Sequence, residues 1–313
     1  MSDPLFELDT FYGEGDRDLE SVRSVLLSAD PHGVRFATVF RRTIDMLLDG
    51  QNTGRFRWEQ LHKTEKTHAG TLVEINFQRE FSFADGDKMD YKIADVDVDC
   101  KFSQDFGKWM IPPEAIGHLC LLTWCNDNLG EWSAGLLRIS ESELSIGKNR
   151  DGKRYLNKSG RAAVSWLFRG EKLPENALLR MSPDDIRAIF APKSGQSRIN
   201  ELFRRAQGRI VSRAVVATVG QQDDYMKRVR FNGGARSKLR PEGIVILGQF
   251  GNHVDVASRL NLPLPKGGES ISVRLAKWVP EDGEVPRARI GGEVWRIASS
   301  DDPPCLAPIL PER

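Results

Sequence analysis

The chain has 313 residues, which is too long for one ordinary hydrophobic core and predicts two domains. Its 40% hydrophobic and 28% charged residues are typical of a soluble globular protein, and no window holds the roughly 18 apolar residues of a membrane span. The net charge of +1 does not by itself predict a nucleic-acid partner.

The N-terminal residues 1–7 are acidic and lack the basic and apolar regions of a secretory signal, so we expect a cytoplasmic protein. The four cysteines contain no CxxC pair. This pattern indicates reduced thiols and argues against a zinc site.

Helical spacing of apolar residues predicts helices over residues 18–27 and 34–48, while residues 71–77 fit either a helix end or a strand. Residues 89–93 and 96–102 are predicted to form a β-hairpin around a tight turn at Ala94-Asp95. Residues 119–124 and 133–139 are further apolar strands. These elements predict an α/β domain, over residues 1–168, with a central sheet and flanking helices.

The polar run Gly170 to Asn176 predicts a linker, which we place at residues 169–178, before a second domain over residues 179–313. In that second domain the sequence predicts helices, then strands, with one helix among them. The predicted helical segments are 182–190, 197–207, 209–219 and 253–260, and the predicted strands are 243–247, 271–279 and 288–297. This order is typical of a winged helix-turn-helix, an α+β DNA-binding fold.

Charge is distributed unevenly along the chain. Between Arg198 and Arg240 there are eleven basic residues and three acidic ones, a local net charge of +8 that suits DNA phosphates. Between Asp85 and Asp99 there are six aspartates and two lysines, a local net charge of −4. An acidic cluster in a DNA-binding protein suggests a divalent metal ion.

The acidic hairpin carries a specific chemical pattern. Alternation along a strand places Asp99 and Lys101 on one face, and Asp90 on the partner strand can approach Asp99. Two adjacent carboxylates repel unless a cation lies between them, and carboxylate oxygens select Mg²⁺. With Glu74 upstream, the three acids could hold Mg²⁺ while Lys101 orients or deprotonates the water that attacks a phosphodiester.

This arrangement resembles the PD-(D/E)xK nucleases. The Asp99-Cys100-Lys101 triplet alone is weak, because acid-x-Lys also occurs on solvated edge strands, but Asp90, Glu74 and the apolar strand strengthen it. One departure is Met89, which stands where the motif has proline.

Longer runs in both halves resemble the two-site (type IIE) restriction endonucleases of this superfamily. These runs are residues 62–68, 70–76, 98–103, 109–114, 200–205 and 221–230. The resemblance implies a restriction-endonuclease-like mixed sheet followed by a winged helix-turn-helix related to that of the catabolite activator protein. It implies Mg²⁺-dependent cleavage of double-stranded DNA at the palindrome GCCGGC by a homodimer. It also implies a substrate site and a second, effector DNA site in the C-terminal domain, and it assigns catalysis to Glu74, Asp90, Asp99 and Lys101.

Two further groups are candidate DNA contacts. In the loop after the catalytic strand the candidates are Ser103, Gln104 and Lys108, although this could be an ordinary surface loop. In the basic region the candidates are Gln221, Gln222, Lys227, Arg228, Arg230, Arg236, Lys238 and Arg240. The alternatives there are helix capping by the amides and a solvated basic face.

A second likeness lies at Leu47-Leu48-Asp49-Gly50, which resembles the KxDG motif of DNA ligases. Leu47 stands where the nucleophilic lysine would be, so no covalent nucleotide intermediate is expected. A capped helix end is the favoured interpretation.

Three functions therefore compete. The leading hypothesis is a two-site restriction endonuclease. The alternative is a DNA-binding transcriptional regulator with an inert nuclease-like domain, in which Asp99→Ala and Mg²⁺ would have no effect. A third is a nicking or strand-passing enzyme, which would form a covalent protein–DNA link.

Overall fold

The structure is a computed structural model that describes residues 16–147 and 149–310. The acidic residues 1–7, on which the cytoplasmic prediction depends, lie outside this part. The chain divides into two compact units. Unit 1 comprises the residues up to Thr43 and Thr67–Pro174, and unit 2 comprises Ile44–Lys66 and the residues from Glu175 onward.

The helices and strands are as follows. The helices are α1 (Arg17–Ala29), α2 (Val34–Leu48), α3 (Gly50–Thr53), α4 (Lys63–Phe81), α5 (Lys158–Ala162), α6 (Pro183–Phe190), α7 (Gly195–Arg205), α8 (Arg213–Gly220), α9 (Ala235–Lys238) and α10 (Gly251–Arg259). The strands are β1 (Ala84–Asp85), β2 (Tyr91–Ile93), β3 (Val96–Ser103), β4 (Met110–Ile111), β5 (Leu119–Asn126), β6 (Glu131–Arg138), β7 (Arg154–Tyr155), β8 (Ser165–Lys172), β9 (Ile210–Val211), β10 (Ile244–Gly248), β11 (Ser270–Lys277), β12 (Arg287–Ile290) and β13 (Glu293–Ile297).

Unit 1 is built on a mixed six-stranded sheet in the order β1-β2-β3-β5-β6-β8. Strands β3 and β5 are parallel, and the other neighbours are antiparallel. The predicted hairpin of β2 and β3 is confirmed. Ala94 and Asp95 both have left-handed backbone angles, which match the twist of a two-residue hairpin turn.

Aromatic residues join the helices of unit 1 to its sheet. Phe36 of α2 stacks on Trp132 of β6 at 5.9 Å between ring centroids and meets Phe77 of α4 edge-on at 5.0 Å. All three rings are fully or almost fully buried. Residues 71–77 lie within α4, which settles the open choice in favour of a helix, and the expected central mixed sheet with flanking helices is confirmed.

Unit 2 combines a group of helices with an antiparallel sheet in the order β10-β11-β13-β12, to which β9 adds by pairing with β11. Helices α6, α7 and α8 each begin at a serine whose hydroxyl accepts a backbone N–H of the first turn. Their apolar faces pack together in one core that includes Ile199, Phe203, Val216 and Ile246.

Several predicted boundaries were wrong. Arg169 to Lys172, assigned to the linker, form the end of β8 and pair with β6. Residues 209–219, predicted as one helical segment, contain β9 before α8. Residues 288–297 form two strands rather than one, because Gly291 and Gly292 allow a hairpin turn with positive φ at both positions. The sequence also gave no sign that residues 44–66 belong to unit 2.

Of the helices in the described part of the chain, none is long and apolar enough to cross a membrane.

Candidate active site

The hairpin of β2 and β3 brings the predicted acidic residues together. Tyr91 pairs with Val98 in the antiparallel register, so Asp90, one residue earlier, comes beside Asp99, one residue later. The Asp90 carboxylate accepts a hydrogen bond from the backbone N–H of Cys100 at 2.6 Å. This bond fixes Asp90 against the neighbouring strand.

Lys101 lies between the two aspartates. Its Nζ is 2.6 Å from Oδ1 of Asp99 and 3.7 Å from Oδ2 of Asp90, and it also donates to the carbonyl oxygen of Cys100. The Asp99 side chain is 8% exposed, whereas those of Asp90 and Lys101 are 22% and 23% exposed. The ammonium group therefore occupies the position at which the two carboxylates converge, and two of the three groups remain open to a ligand.

The electrostatics of this group are dominated by burial. Burial raises the pKa of Asp99 to about 6. The Lys101 ammonium acts to lower this pKa, and the negative charge of Asp90 acts to raise it. For Lys101, burial acts to lower the pKa, but the neighbouring Asp99 carboxylate more than offsets this effect, so the pKa is raised. The site thus holds more negative charge than one lysine neutralises, and an additional cation would stabilise its ionised form.

Glu74 reaches this site from helix α4. Burial, together with the negative charges of Asp90 and Asp99, raises the pKa of Glu74, while Lys101 opposes the shift. The backbone of Glu74 is tied to the sheet, because the Tyr91 hydroxyl donates to its carbonyl oxygen at 2.7 Å. The fully buried Tyr91 therefore sets the position of α4 relative to β2, a role that the sequence analysis missed.

A second missed residue is Cys120 on the parallel neighbour strand β5. It is in register with Asp99, and its thiol donates to Oδ2 of Asp99 at 3.5 Å. Burial raises the pKa of Cys120, so the thiol stays protonated and remains a donor. No local signal in the sequence pairs these residues, because the β3–β5 register depends on a crossover of many residues.

The carboxylates of Asp90 and Asp99 suit a magnesium ion whose remaining coordination positions are filled by water and by substrate oxygens. Within residues 16–147 and 149–310, no three His, Cys, Asp or Glu side chains form a preformed metal-binding group. The pair Asp90 and Asp99 does converge on one cationic position. Mg²⁺ usually takes one or two carboxylates and completes its shell with water and phosphate oxygens, and such a pair is sufficient for it.

The three predicted DNA contacts at and just after the end of β3 have different environments. Ser103 is buried, and its hydroxyl donates to the carbonyl oxygens of Asp105 and Lys108, so it holds the loop together. Gln104 is half-buried, and its backbone carbonyl oxygen accepts a hydrogen bond from the Trp124 indole N–H. Lys108 is exposed and pairs with Asp105 at 3.1 Å. Of the three, Lys108 has the most accessible polar group.

The predicted contacts in unit 2 also divide by exposure. Gln221, Lys227, Arg230 and Lys238 are exposed. Gln222 and Arg228 are half-buried and bond to each other at 3.0 Å.

Arg236 and Arg240 face inward instead. Their Nε atoms donate to the backbone carbonyl oxygens of Ile246 and Ala307, both at 3.0 Å. The exposed members of the predicted set can reach a DNA backbone directly, while these two arginines line a cavity.

The ligase-like segment is a helix junction within unit 2. Leu47 is 6% exposed and lies in the core, Asp49 has a left-handed backbone between α2 and α3, and Gly50 opens α3. A Cβ on Gly50 would lie 2.0 Å from the Thr218 hydroxyl oxygen of α8. Close packing therefore explains the glycine, and the interpretation as a capped helix end is confirmed.

A mixed sheet with flanking helices, carrying two aspartates and a lysine on one hairpin, is the arrangement expected of a restriction-endonuclease domain. The family model for restriction endonuclease NaeI matches residues 20–305. The chain is also 52% identical, over 319 aligned residues and 99% of both chains, to the type II restriction enzyme NaeI of Lentzea aerocolonigenes. The chain belongs to the NaeI family of restriction endonucleases, which are nucleases that act on double-stranded DNA.

Proposed function

We propose that this protein is a Mg²⁺-dependent type II restriction endonuclease that hydrolyses both strands of a GC-rich palindrome, GCCGGC. The observation that carries the catalytic assignment is that the carboxylates of Asp90 and Asp99 both lie within 4 Å of Nζ of Lys101. Similarity to a type II restriction enzyme along nearly the whole chain supports the substrate class.

The residues of the hairpin have separate roles in this proposal. Asp90 and Asp99 would hold Mg²⁺, and Glu74 would add a third negative charge at the same site. When bound, Mg²⁺ neutralises charge on the scissile phosphate and on the leaving oxygen. Lys101 donates hydrogen bonds to the attacking water and to the phosphate oxygens that gain negative charge in the transition state. The Cys120 thiol donates to Oδ2 of Asp99, while Oδ1 accepts from Lys101.

Unit 2 is proposed to bind a second copy of the site as an effector. Helices α6 to α8 followed by the β12–β13 hairpin have the order of a winged helix-turn-helix, in which the hairpin is the wing. The exposed cations Lys227, Arg230 and Lys238 support phosphate binding on this unit. A palindromic substrate supports a homodimer, because its two-fold symmetry is matched by two copies of the chain.

Digestion of a plasmid of known sequence tests this function. We expect linear product with Mg²⁺ and none with excess EDTA, and end-mapping should place both breaks within GCCGGC. A plasmid without that sequence is the control. Intact plasmid in Mg²⁺ would contradict the enzymatic proposal, whereas cleavage at another palindrome would contradict only the recognition sequence.

The effector site has its own test, which uses a plasmid with a single GCCGGC. An uncleavable duplex containing the site, added in trans, is expected to accelerate cleavage, and a scrambled duplex is not. Equal rates with both duplexes would contradict the two-site proposal and leave the nuclease assignment intact.

The regulator hypothesis predicts no cleavage in the first of these experiments. The strand-passing hypothesis predicts protein bound covalently to DNA on a denaturing gel. The observed Leu47 argues against the ligase type of covalent chemistry, because it supplies no amine.

A further inference from the structure

Unit 2 contains a cavity that is lined by none of the catalytic candidates and by none of the exposed candidate DNA contacts. It has a volume of about 420 Å³, within the range of small-molecule sites. Its lining combines basic and apolar side chains and includes Phe231, Arg236, Phe250, His253 and Ile309. Among the described residues that line it, none is acidic.

The inner end of the cavity is cationic. Arg236, His253 and Phe250 converge around Gly248, where an added Cβ would lie 2.9 Å from Nη2 of Arg236 and 3.8 Å from both Nδ1 of His253 and a ring carbon of Phe250. The glycine thus leaves room for the guanidinium. Within residues 16–147 and 149–310, no carboxylate forms an ion pair with Arg236. Its Nε donates a hydrogen bond to the backbone carbonyl oxygen of Ile246.

Burial without a carboxylate partner is costly for a guanidinium. The pKa of Arg236 is lowered, and burial is the cause. A bound anion would restore the lost solvation with charge-assisted hydrogen bonds. His253, which lies beside Arg236, accepts the backbone N–H of Gly248 at Nδ1.

The outer end of the cavity is apolar. Phe231 is 44% exposed and Ile309 is 58% exposed, and both line the cavity. The Arg240 guanidinium is 6.0 Å from the Phe231 ring centroid. Phe231 offers a flat apolar contact to the body of a ligand whose charged end is held by Arg236.

We infer that this cavity binds an aromatic anion, inserted with its carboxylate, sulfonate or phosphate against Arg236 and its ring between Phe231 and Phe250. Such a ligand has two possible sources, a free small molecule or a nucleotide of DNA that enters the cavity. The shared chemistry is a flat ring that carries a negative group. The inference stands apart from the nuclease assignment, since none of the catalytic candidates lies in this cavity.

The test uses the full-length protein without metal and two fluorescent probes of similar shape. One is the anion 8-anilinonaphthalene-1-sulfonate, and the other is neutral N-phenyl-1-naphthylamine. Wild type should bind the anion saturably. Arg236→Gln should weaken binding of the anion by about tenfold, because one charge-assisted interaction is lost, and should change binding of the neutral probe by less than about twofold.

Control variants separate the cavity from general surface binding. Arg289→Gln changes an exposed arginine of β12 and should leave both probes unaffected. Phe231→Ala should weaken both probes, because it removes the apolar wall at the entrance. If Arg236→Gln fails to fold, Arg236→Met, which also removes the charge but keeps an apolar stem, provides the charge test. Equal anion binding by wild type and by the charge variant would overturn the inference, as would binding that does not saturate.

Competition identifies the source of the ligand. Displacement of the anionic probe by thymidine monophosphate, with no effect of duplex DNA, would indicate a free aromatic anion. Displacement by duplex DNA alone, lost in Phe231→Ala, would indicate a nucleotide of DNA. Failure of both competitors to displace a probe that binds saturably and depends on Arg236 would still support a site for aromatic anions other than nucleotides.

Discussion

Replacing Asp99 by Asn should change how the free energy of unfolding depends on pH, because burial raises the pKa of the Asp99 carboxyl. The pKa of Asp99 is raised from 3.8 to about 6 in the folded protein. The side chain is 8% exposed, so solvent screening is weak. A shift of this size corresponds to about 3 kcal/mol between the two protonation states.

The sign follows from proton linkage. Because the folded state binds this proton more tightly than the unfolded state, the associated stability is fully present below pH 3.8 and is lost as the pH rises through about 6. Between about pH 7.5 and about pH 5 the wild type should therefore gain about 1.4 kcal/mol relative to Asp99→Asn, which has no proton to bind there.

Urea denaturation of both proteins in EDTA, at the two pH values, measures this difference. Asp105→Asn is the matched control, because Asp105 is exposed and its variant should track the wild type at both pH values. A wild-type minus Asp99→Asn difference that does not vary with pH would refute the argument from burial. A difference that grows as the pH rises would contradict its sign.

Three other substitutions test packing and buried polar contacts in the two units. Gly50→Ala should lower the free energy of unfolding by about 1–3 kcal/mol, measured in urea, because the new methyl group would overlap a threonine hydroxyl of α8. Tyr91→Phe should cost about 1 kcal/mol, since one buried hydrogen bond to α4 is lost, and should slow DNA cleavage by moving that helix; unchanged stability and rate would contradict this role. Asp127→Ala should cost about 3–5 kcal/mol by thermal or urea unfolding, because the buried Arg41 would lose the carboxylate that lies 2.6 Å from its Nη1.

The sequence predicted the acidic hairpin well, because the signals for a hairpin are local. Alternation along the strands and a two-residue turn at Ala94-Asp95 are sufficient to place Asp99 and Lys101 on one face. The register that brings Asp90 beside Asp99 then follows from the turn. The structure places these three side chains together, as the sequence predicted.

Contacts between distant segments could not be predicted. The Tyr91 bond to Glu74 and the Cys120 bond to Asp99 depend on how a helix and a parallel strand pack against the hairpin. Composition could not assign residues 44–66 to unit 2 either, because that assignment depends on the close packing of α3 on α8.

The basic region shows a different limit of sequence reasoning. Charge counting identified a stretch with a net charge of +8, but it cannot tell which cations face solvent. In the structure Lys227 and Arg230 are exposed, whereas the side chain of Arg236 lines a cavity. Exposure depends on the path of the backbone through short helices and turns, for which the sequence carries only weak signals.

The proposed cleavage chemistry depends on Lys101, which lies between Asp90 and Asp99. Single-turnover cleavage of a duplex with one GCCGGC site, in Mg²⁺ and with DNA binding measured in parallel, tests it most directly. Lys101→Met is expected to lose at least about a hundredfold in rate and to keep its affinity for DNA, because one charged donor to the transition state is removed. Lys92→Met, in the same hairpin but paired with exposed Asp87, should cleave like the wild type. Wild-type cleavage by Lys101→Met would contradict the account.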